Sequence, residues 1–457
     1  MAADGKVLFG DLPEQPGPAS PAGAAPRLRR AERRQVELRA VSLDALVPDD
    51  HRVRLVWRFV EGLDPTALHR AIRAVQGRPG HPPADPRIPL ASWLYATVEG
   101  VGSARALARL CGEHIAYQRL CGGVGVNAKT LADFRVGHGA VLERLLIDSF
   151  TALVQAGVAS LDRVAQDGVR VRASAGAASF RRRSTSQACR DEAAVEVRRS
   201  RAELEADPGA LGRRQAAARR RAAEEREARV EAALAVAEAL AAERRARAAK
   251  GDGDPPPDAG AAEPAAKARE KEPRASTTDA EARVMKMADG GFRPAYNVQF
   301  AADTRGGAVA GVAADNTGSD MGKLAPMSAA LAGHYGARPG EHLADGGFAK
   351  LADIAALARA GVTAYVPVPA PRDPGRDRHQ PRLDDAPEVA AWRARMGTDE
   401  AEAIYKERAA TAGCVNAQAR NRGLTRFVVR GGAKVRAAAA LHALAHNMLC
   451  TWRLLPA

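Results

Sequence analysis

The sequence predicts an α/β fold in which a mixed sheet is flanked by helices. Its clearest element is a β-hairpin, in which the alternating segments AYNVQFAAD and AVAGVAAD are joined by TRGG. After residue 160, apolar segments with strand texture alternate with segments whose apolar residues recur at helical spacing. The resulting order of strand, strand, strand, helix, strand, helix and strand indicates a mixed sheet with helices packed on it.

Residues 40–158 predict an all-α domain that precedes the sheet. The valines of HRVRLVWRFV recur at helical spacing, and Ser103 is placed to cap a helix over SARALARLC. Residues 1–38 are rich in Pro, Gly, Ala and Arg and have no apolar period. We therefore expect them to form a disordered basic tail.

A charged insertion, residues 187–275, interrupts a sheet domain that spans 160–455. Ala, Arg and Glu dominate its first part, and this composition favours helix with Glu–Arg pairs along its surface. Apolar heptads are missing, so a solvated charged helix or a helical hairpin is expected instead of a long coiled coil. Residues 251–275 have the composition of a linker.

The remaining elements follow from the same periodicities. We expect a strand at VTAYVPVP and helices over 321–335, 349–361, 398–421 and 437–454. The predicted core face of the last helix comprises Leu441, Leu444, Ala445, Met448 and Trp452.

Charge and composition narrow the class of partner. The 457-residue chain carries a formal net charge of +14, which favours phosphate backbones or anionic membrane surfaces. No apolar run is long enough to span a membrane, and no signal peptide is evident, so we expect a cytoplasmic protein whose partner is nucleic acid. The 5 cysteines form no CxxC pair, which argues against a zinc module or a disulfide framework.

The stretch RVAQDGVRVRASAGAASFRRR carries the first candidate for chemistry. We interpret it as a strand, a tight turn at Asp167–Gly168 and a second strand. A carboxylate at a strand end, followed by an arginine cluster, is typical of a metal site beside a polyanion. An ordinary Asp-Gly turn is the alternative.

The segment HLADGGF repeats this pattern at Asp345–Gly346. Two carboxylates at the ends of neighbouring strands can share a divalent ion, since Mg2+ prefers oxygen ligands. Two such ions stabilise the attacking and leaving oxygens of a phosphoryl transfer. The alternative is that both aspartates are turn residues. Asp289 is interpreted as a turn residue, and Asp315 is a weaker candidate for a supporting acid.

Several longer segments carry a resemblance to a known family. They are GVGSARALARLC, AYQRLCGGVGVNAKTLADFRVGH, AQDGVRVRASAGAASFRRR, TTDAEARVMKMADGGFRPAYNVQ, LADGGF and YKERAATAGCVNAQARNRGLTRFVVRGGAKV. From about residue 40 to 454 the chain resembles the DDE transposases of bacterial insertion sequences. The resemblance implies an RNase H-like sheet domain and an acidic triad that holds two Mg2+ or Mn2+ ions. Its first two members are Asp167 and Asp345.

The family's motif on its last catalytic helix is matched only in part. Tyr405 and Arg408 agree with it, and Arg420 replaces the usual lysine, but the expected glutamate is Gly413. On a helix, Glu407 would lie roughly 120° from the face of residue 413, and Glu402 about 16 Å away along the axis. Neither can replace the missing acid, so we expect a catalytically impaired transposase.

The resemblance also implies partners and contacts. They are the terminal inverted repeats of the element and its target DNA, a dimer when two ends are synapsed, and a place at the bacterial nucleoid. The residues expected to contact DNA are Tyr405, Arg408, Arg420, Arg181, Arg182 and Arg183. Two other functions remain open: a related metal-dependent nuclease and an inactive protein that only binds DNA.

Overall fold

The computed structural model describes residues 40–70, 72, 74, 82–206, 210–249, 272–371, 373 and 375–455. The predicted disordered tail and residues 251–271 of the predicted linker lie outside this part of the chain. Among the described residues, no helix is both long and apolar enough to cross a membrane.

The described residues before the sheet form helices. Their bounds are α1 Arg52–Glu61, α2 Thr66–His69, α3 Arg87–Val98, α4 Ala104–Glu113, α5 Ile115–Cys121, α6 Ala128–Gly137 and α7 Gly139–Gln155. The valines at the helical spacing, Val53, Val56 and Val60, are buried in α1. Ser103 caps α4 as predicted, because its hydroxyl accepts a hydrogen bond from the backbone N–H of Ala106.

Within the described residues, the main sheet has six strands. They are β1 Arg163–Arg172, β4 Arg283–Lys286, β5 Phe292–Asp303, β6 Val309–Asp315, β7 Glu341–Leu343 and β8 Thr363–Tyr365. The central strand β1 pairs antiparallel with β5 and parallel with β7, while β4 and β6 both pair with β5 and β8 pairs with β7. The predicted mixed sheet and the predicted β5–β6 hairpin are therefore confirmed.

The predicted turn at Asp167–Gly168 is wrong. Strand β1 continues through both residues, and its pairing with β5 runs from Val164 to Arg172, with Gly168 opposite Gln299. The local preference of Asp-Gly for a turn is overridden because the strand is buried in the centre of the sheet and paired along its length. Asp167 is therefore a mid-strand residue and does not end its strand.

The charged insertion begins with a helical hairpin formed by α8 Arg183–Ala206 and α9 Ala210–Ala249. Small buried residues such as Ala193 and Ala223 let the two helices pack closely. Ion pairs cross between them, with Arg219 to Glu203 at 3.1 Å as one example. Of the two predicted alternatives, the structure has the hairpin. A two-stranded sheet, β2 Phe180–Arg181 with β3 Ala275–Ser276, joins its base.

The chain after β6 supplies the remaining helices. They are α10 Leu324–Tyr335, α11 Leu351–Arg359, α12 Pro387–Met396, α13 Asp399–Arg408, α14 Cys414–Asn421 and α15 Gly432–Leu454. Helix α15 contacts α3, α6, α7 and β6, so one helix packs against both the helical part and the sheet. The prediction that Trp452 lies on its core face is wrong, since 43% of that residue is exposed near the end of the helix.

Candidate active site

A cleft opens along one edge of β1. The pairing with β7 ends at Ala165, and a second segment rejoins β1 only at Arg172, where the backbone N–H of Phe427 donates to the Arg172 carbonyl. Between these two points lies a cleft of about 590 Å³. Its charged lining residues are Asp167, Asp289, Asp320, Asp345, Arg170, Arg172, Arg293 and Arg420.

Asp167 and Asp345 line this cleft together. The last residues paired between β1 and β7 are Ala165 and Leu343, and the same parallel register two residues further on places Asp345 beside Asp167. Asp345 begins a short 3-10 turn, and its Oδ1 accepts the N–H of Gly347 at 2.8 Å. The Oδ1 atom of Asp167 accepts the N–H of Gly168 at 2.8 Å.

The two carboxylates repel each other. Burial raises the pKa of Asp167, and the negative charge of Asp345 raises that pKa further. The guanidinium of Arg408, whose Nη1 lies 3.6 Å from Asp167 Oδ2, and the side chain of Asn416 act in the opposite direction. A pair of like charges held in one cleft is an arrangement that a cation stabilises.

Asp320 is a third acid in the cleft, and our reading of the sequence missed it. Its Oδ1 accepts hydrogen bonds from Asn297 Nδ2 at 2.7 Å and Gln299 Nε2 at 2.6 Å. Its Oδ2 lies 3.7 Å from the Arg170 guanidinium. The segment DNTGSD, residues 315–320, begins and ends with an aspartate, and nothing in that local pattern distinguishes Asp315 from Asp320. Asp320 is distinguished only in the folded chain, where the side-chain amides of Asn297 and Gln299 on β5 bind it.

Asp315, the aspartate considered as a supporting acid, is occupied elsewhere. Its Oδ2 pairs with Lys323 Nζ at 2.7 Å, and its Oδ1 accepts the N–H of Thr317 at 2.7 Å. Asp289 accepts the N–H of Gly291 in a turn, as expected, and also pairs with Arg293 at the rim of the cleft. Neither carboxylate is directed at the acidic pair.

Glycines create the space around Asp320. A Cβ atom at Gly168 would lie 2.3 Å from Asp320 Oδ1 and 2.5 Å from Gln299 Nε2. A Cβ atom at Gly347 would lie 2.9 Å from Asp345 Oδ1 and 3.9 Å from Asp320 Oδ2. In β1, glycine is therefore needed after Asp167 because any larger residue at position 168 would clash with the carboxylate of Asp320.

Gly413 lies in a π-helical turn between α13 and α14. This turn, Ala409–Gly413, packs against β1 and β5. Arg408 precedes it and Asn416 follows it, and both side chains act on Asp167. The backbone of Gly413 has ordinary helical angles, φ −62° and ψ −41°, and a Cβ atom there would meet nothing within 4 Å. Alanine at this position would therefore meet no clash.

Neither neighbouring glutamate takes the place of a third acid beside Asp167. Glu407 Oε1 pairs with Arg163 Nη1 at 2.5 Å, and Arg163 also pairs with Glu341. Glu402 pairs with Lys406 at 3.0 Å on the exposed face of α13. Among the described residues there is no group of three or more His, Cys, Asp or Glu side chains arranged to hold a metal ion.

The three residues of the helix motif, Tyr405, Arg408 and Arg420, do not all lie at the same site. Arg420 lines the acidic cleft, and Arg408 contacts Asp167. Tyr405 lines a separate pocket of about 280 Å³ with Pro367 and His379. The Arg408 guanidinium lies 5.7 Å from the centre of the Tyr405 ring, so the tyrosine contacts the cleft indirectly.

The predicted arginine cluster lies at the base of the helical hairpin. Arg182 pairs with Glu272 at 3.9 Å and Arg183 with Glu238 at 3.1 Å. Arg181 faces a different pocket, where its Nη1 contacts Cys189 Sγ. The three arginines are thus not equivalent.

The fold and this cleft define a class of protein: a mixed α/β protein with paired carboxylates in an arginine-lined cleft. Comparison with known families makes the class specific. Residues 41–136 match the family model Transposase domain (DUF772), and residues 377–450 match the family model Transposase DDE domain. Both matches support a DDE transposase of an insertion sequence. No curated protein and no solved structure matches it.

The second match covers the helix motif and Gly413, and neither match covers Asp167 or Asp345. The family therefore supports a DNA transposase and the use of divalent metal ions in general terms. The roles of individual residues in this chain depend on the cleft geometry.

Proposed function

We propose that this protein descends from an enzyme that cuts and joins DNA at the ends of its element, and that its own catalysis is severely impaired. The observation that carries this proposal is the composition of the cleft. Two of its carboxylates, Asp167 and Asp345, match the first two acids of the expected triad, while the position expected to supply the third is Gly413. The transposase matches support DNA as the substrate.

An RNase H-like assignment of the sheet domain, residues 160–455, belongs to the same proposal. It is supported by a central strand with antiparallel neighbours on one side and parallel neighbours on the other. Under this assignment, residues 40–158 form a helical domain, and the hairpin is part of an insertion at 187–275.

The carboxylates fit one divalent ion better than two. Asp167 and Asp345 would hold Mg2+ or Mn2+, because each presents oxygen to the cleft and their mutual repulsion favours a cation between them. When bound, the ions supply positive charge to the attacking and leaving oxygens of the phosphodiester. A second ion would lack a ligand from residue 413.

The arginines of the cleft would hold the DNA backbone. Arg420 is exposed in the cleft and can offer a bidentate contact to a phosphate. Arg408 has a second role, because its charge partly neutralises Asp167 when no metal is present. Tyr405 contacts Arg408 and can fix the position of its guanidinium.

Loss of the third acid would affect chemistry more than binding. Contacts to phosphate come from arginine side chains that do not involve Gly413. A protein that occupies the terminal repeats without cutting them is therefore the second candidate, and Gly413 favours it over a hydrolytic nuclease. Synapsis of two ends would require at least a dimer.

DNA binding and strand transfer test this proposal separately. We expect wild-type protein to bind duplexes carrying the element's terminal inverted repeats, with affinity that falls as salt rises. We expect it to join a pre-cut element end to target DNA no faster than Asp167→Asn. Hydrolysis without joining would favour the nuclease, and loss of all salt-dependent DNA binding would contradict the proposal as a whole.

A further inference from the structure

A second arginine-rich site lies outside the acidic cleft, where the helical hairpin meets the body of the protein. This pocket, of about 270 Å³, is called the arginine pocket below. Four arginines from three parts of the chain line it together with two threonines: Arg181, Arg226, Arg229, Arg430, Thr277 and Thr278.

Two of these arginines are already paired with acids of the hairpin. Arg226 lies 3.3 Å from Glu192, and Arg229 lies 3.6 Å from Glu225. Both pairs are partly exposed, with 51% and 35% of the respective arginine side chains accessible to solvent. They leave donor groups available at the pocket, since a guanidinium has five N–H donors.

The other two arginines have only neutral partners among the described residues. Arg181 Nη1 contacts Cys189 Sγ, and Arg430 Nε donates to the carbonyl of Ser174 at 3.3 Å. Two uncompensated guanidinium groups that face one pocket repel each other, and a bound anion removes that cost. Oxygen atoms of a phosphate match the donors of arginine and threonine.

The arginine pocket adjoins the acidic cleft along the chain. Ser174, which accepts from Arg430, follows the cleft residue Arg172 by two positions. The segment that lines the cleft at Leu424 and Thr425 leads to Arg430 within the next few residues. Two short stretches of chain, residues 172–174 and 425–430, therefore link the two sites.

We infer that the arginine pocket binds a backbone phosphate of the same DNA whose end enters the acidic cleft. The inference rests on the proposed DNA-binding function and assigns a role to the hairpin, which is to hold the DNA at a second point. Contacts of this kind fix the position of DNA without reading its sequence. The binding is thus expected for any duplex that extends past the cleft.

A pair of double variants tests the inference. Arg181→Ala with Arg430→Ala removes the two uncompensated charges, whereas Arg199→Ala with Arg219→Ala removes two hairpin arginines outside the pocket that are both paired with Glu203. We expect the first to weaken binding of a terminal-repeat duplex by about tenfold and the second by much less. The slope of log affinity against log salt should become shallower by roughly 0.9 in the first alone.

Equal loss of affinity in both double variants, or an unchanged salt slope in the first, would overturn the inference. If the first double variant does not fold by circular dichroism, Arg430→Ala decides, because Arg430 is exposed and its loss should not disturb the core. Failure of the wild-type protein to bind DNA at all contradicts the proposed function. Normal wild-type binding with an unaffected double variant contradicts only the role of the pocket.

Discussion

At the scale of single residues, two glycines of the site have opposite surroundings. Gly168 is enclosed, and a Cβ atom there would come within 2.5 Å of the Gln299 amide and even closer to Asp320. Gly413 is open, and nothing lies within 4 Å of the corresponding point. The first glycine is required by packing, whereas the second satisfies no packing requirement that alanine would violate.

Stability measurements on alanine variants separate these two cases. We expect Gly168→Ala to lower the free energy of unfolding by about 1–3 kcal/mol, because buried side chains must move to admit the methyl group. We expect Gly413→Ala to raise it by up to about 1 kcal/mol, because alanine favours helix and meets no neighbour. Urea unfolding measures both. Changes of the same sign in the two variants would contradict this account of the glycines.

At the scale of elements, hairpins and amphipathic helices could be predicted from sequence because their signals are local. Alternation identified β5 and β6, and the position of Ser103 identified the start of α4. The turn predicted at Asp167 was wrong because pairing with a distant strand outweighs a local dipeptide preference. Trp452 was misplaced because helical spacing alone does not tell where a helix passes the edge of the core.

In the candidate site, too, residues with a local sequence signal were predicted and residues placed by distant contacts were not. Asp167 and Asp345 were predicted because each precedes glycine after an apolar segment. Asp320 was not predicted, because its position depends on amide groups of β5 that are distant in sequence. The arginine pocket was equally hidden, since Arg181 and Arg430 come together only in the folded chain.

Helix α15 supplies hydrogen bonds to backbone groups of β6 at the edge of the sheet, and the stability of the protein should depend on them. The buried side chain of Asn447 accepts the N–H of Val309 at 2.7 Å and donates to the Val309 carbonyl at 2.9 Å. We expect Asn447→Ala to lower the free energy of unfolding by roughly 2–4 kcal/mol, because two buried backbone groups lose their partner. Urea unfolding measures the change.

Ser149→Ala is the matched control for Asn447→Ala. The Ser149 hydroxyl accepts from the same amide at 3.2 Å but leaves the two backbone groups of β6 satisfied when it is removed. We expect it to cost about 1 kcal/mol or less. An equal loss in the two variants would show that the contact with the strand edge is not what Asn447 contributes.

At the scale of the whole molecule, the helical part and the sheet share α15. Leu441, Leu444 and Met448 pack with the N-terminal helices, whereas Val435, Ala439 and Ala443 pack with the sheet. Sequence patterns predicted separate domains at 40–158 and 160–455, a division that remains a prediction. An alanine-rich helix gives little indication of its two faces, because small residues fit either core.

The acidic cleft and residue 413 together give the prediction about catalysis. Asp167 and Asp345 lie together, Arg408 and Asn416 reach Asp167 from either side of the π-helical turn, and a Cβ atom at residue 413 would meet nothing within 4 Å. We therefore expect a carboxylate restored at 413 to recover activity. The wild-type protein should bind DNA and leave it uncut.

The most direct test is Mg2+- or Mn2+-dependent cleavage of terminal-repeat DNA by Gly413→Glu. We expect this variant to cleave, and the wild type, Gly413→Gln and the double variant Gly413→Glu with Asp167→Asn to remain at background. Glutamine has the size of glutamate without its charge, so it separates a ligand effect from packing. Cleavage by the wild type as fast as by Gly413→Glu would contradict the account.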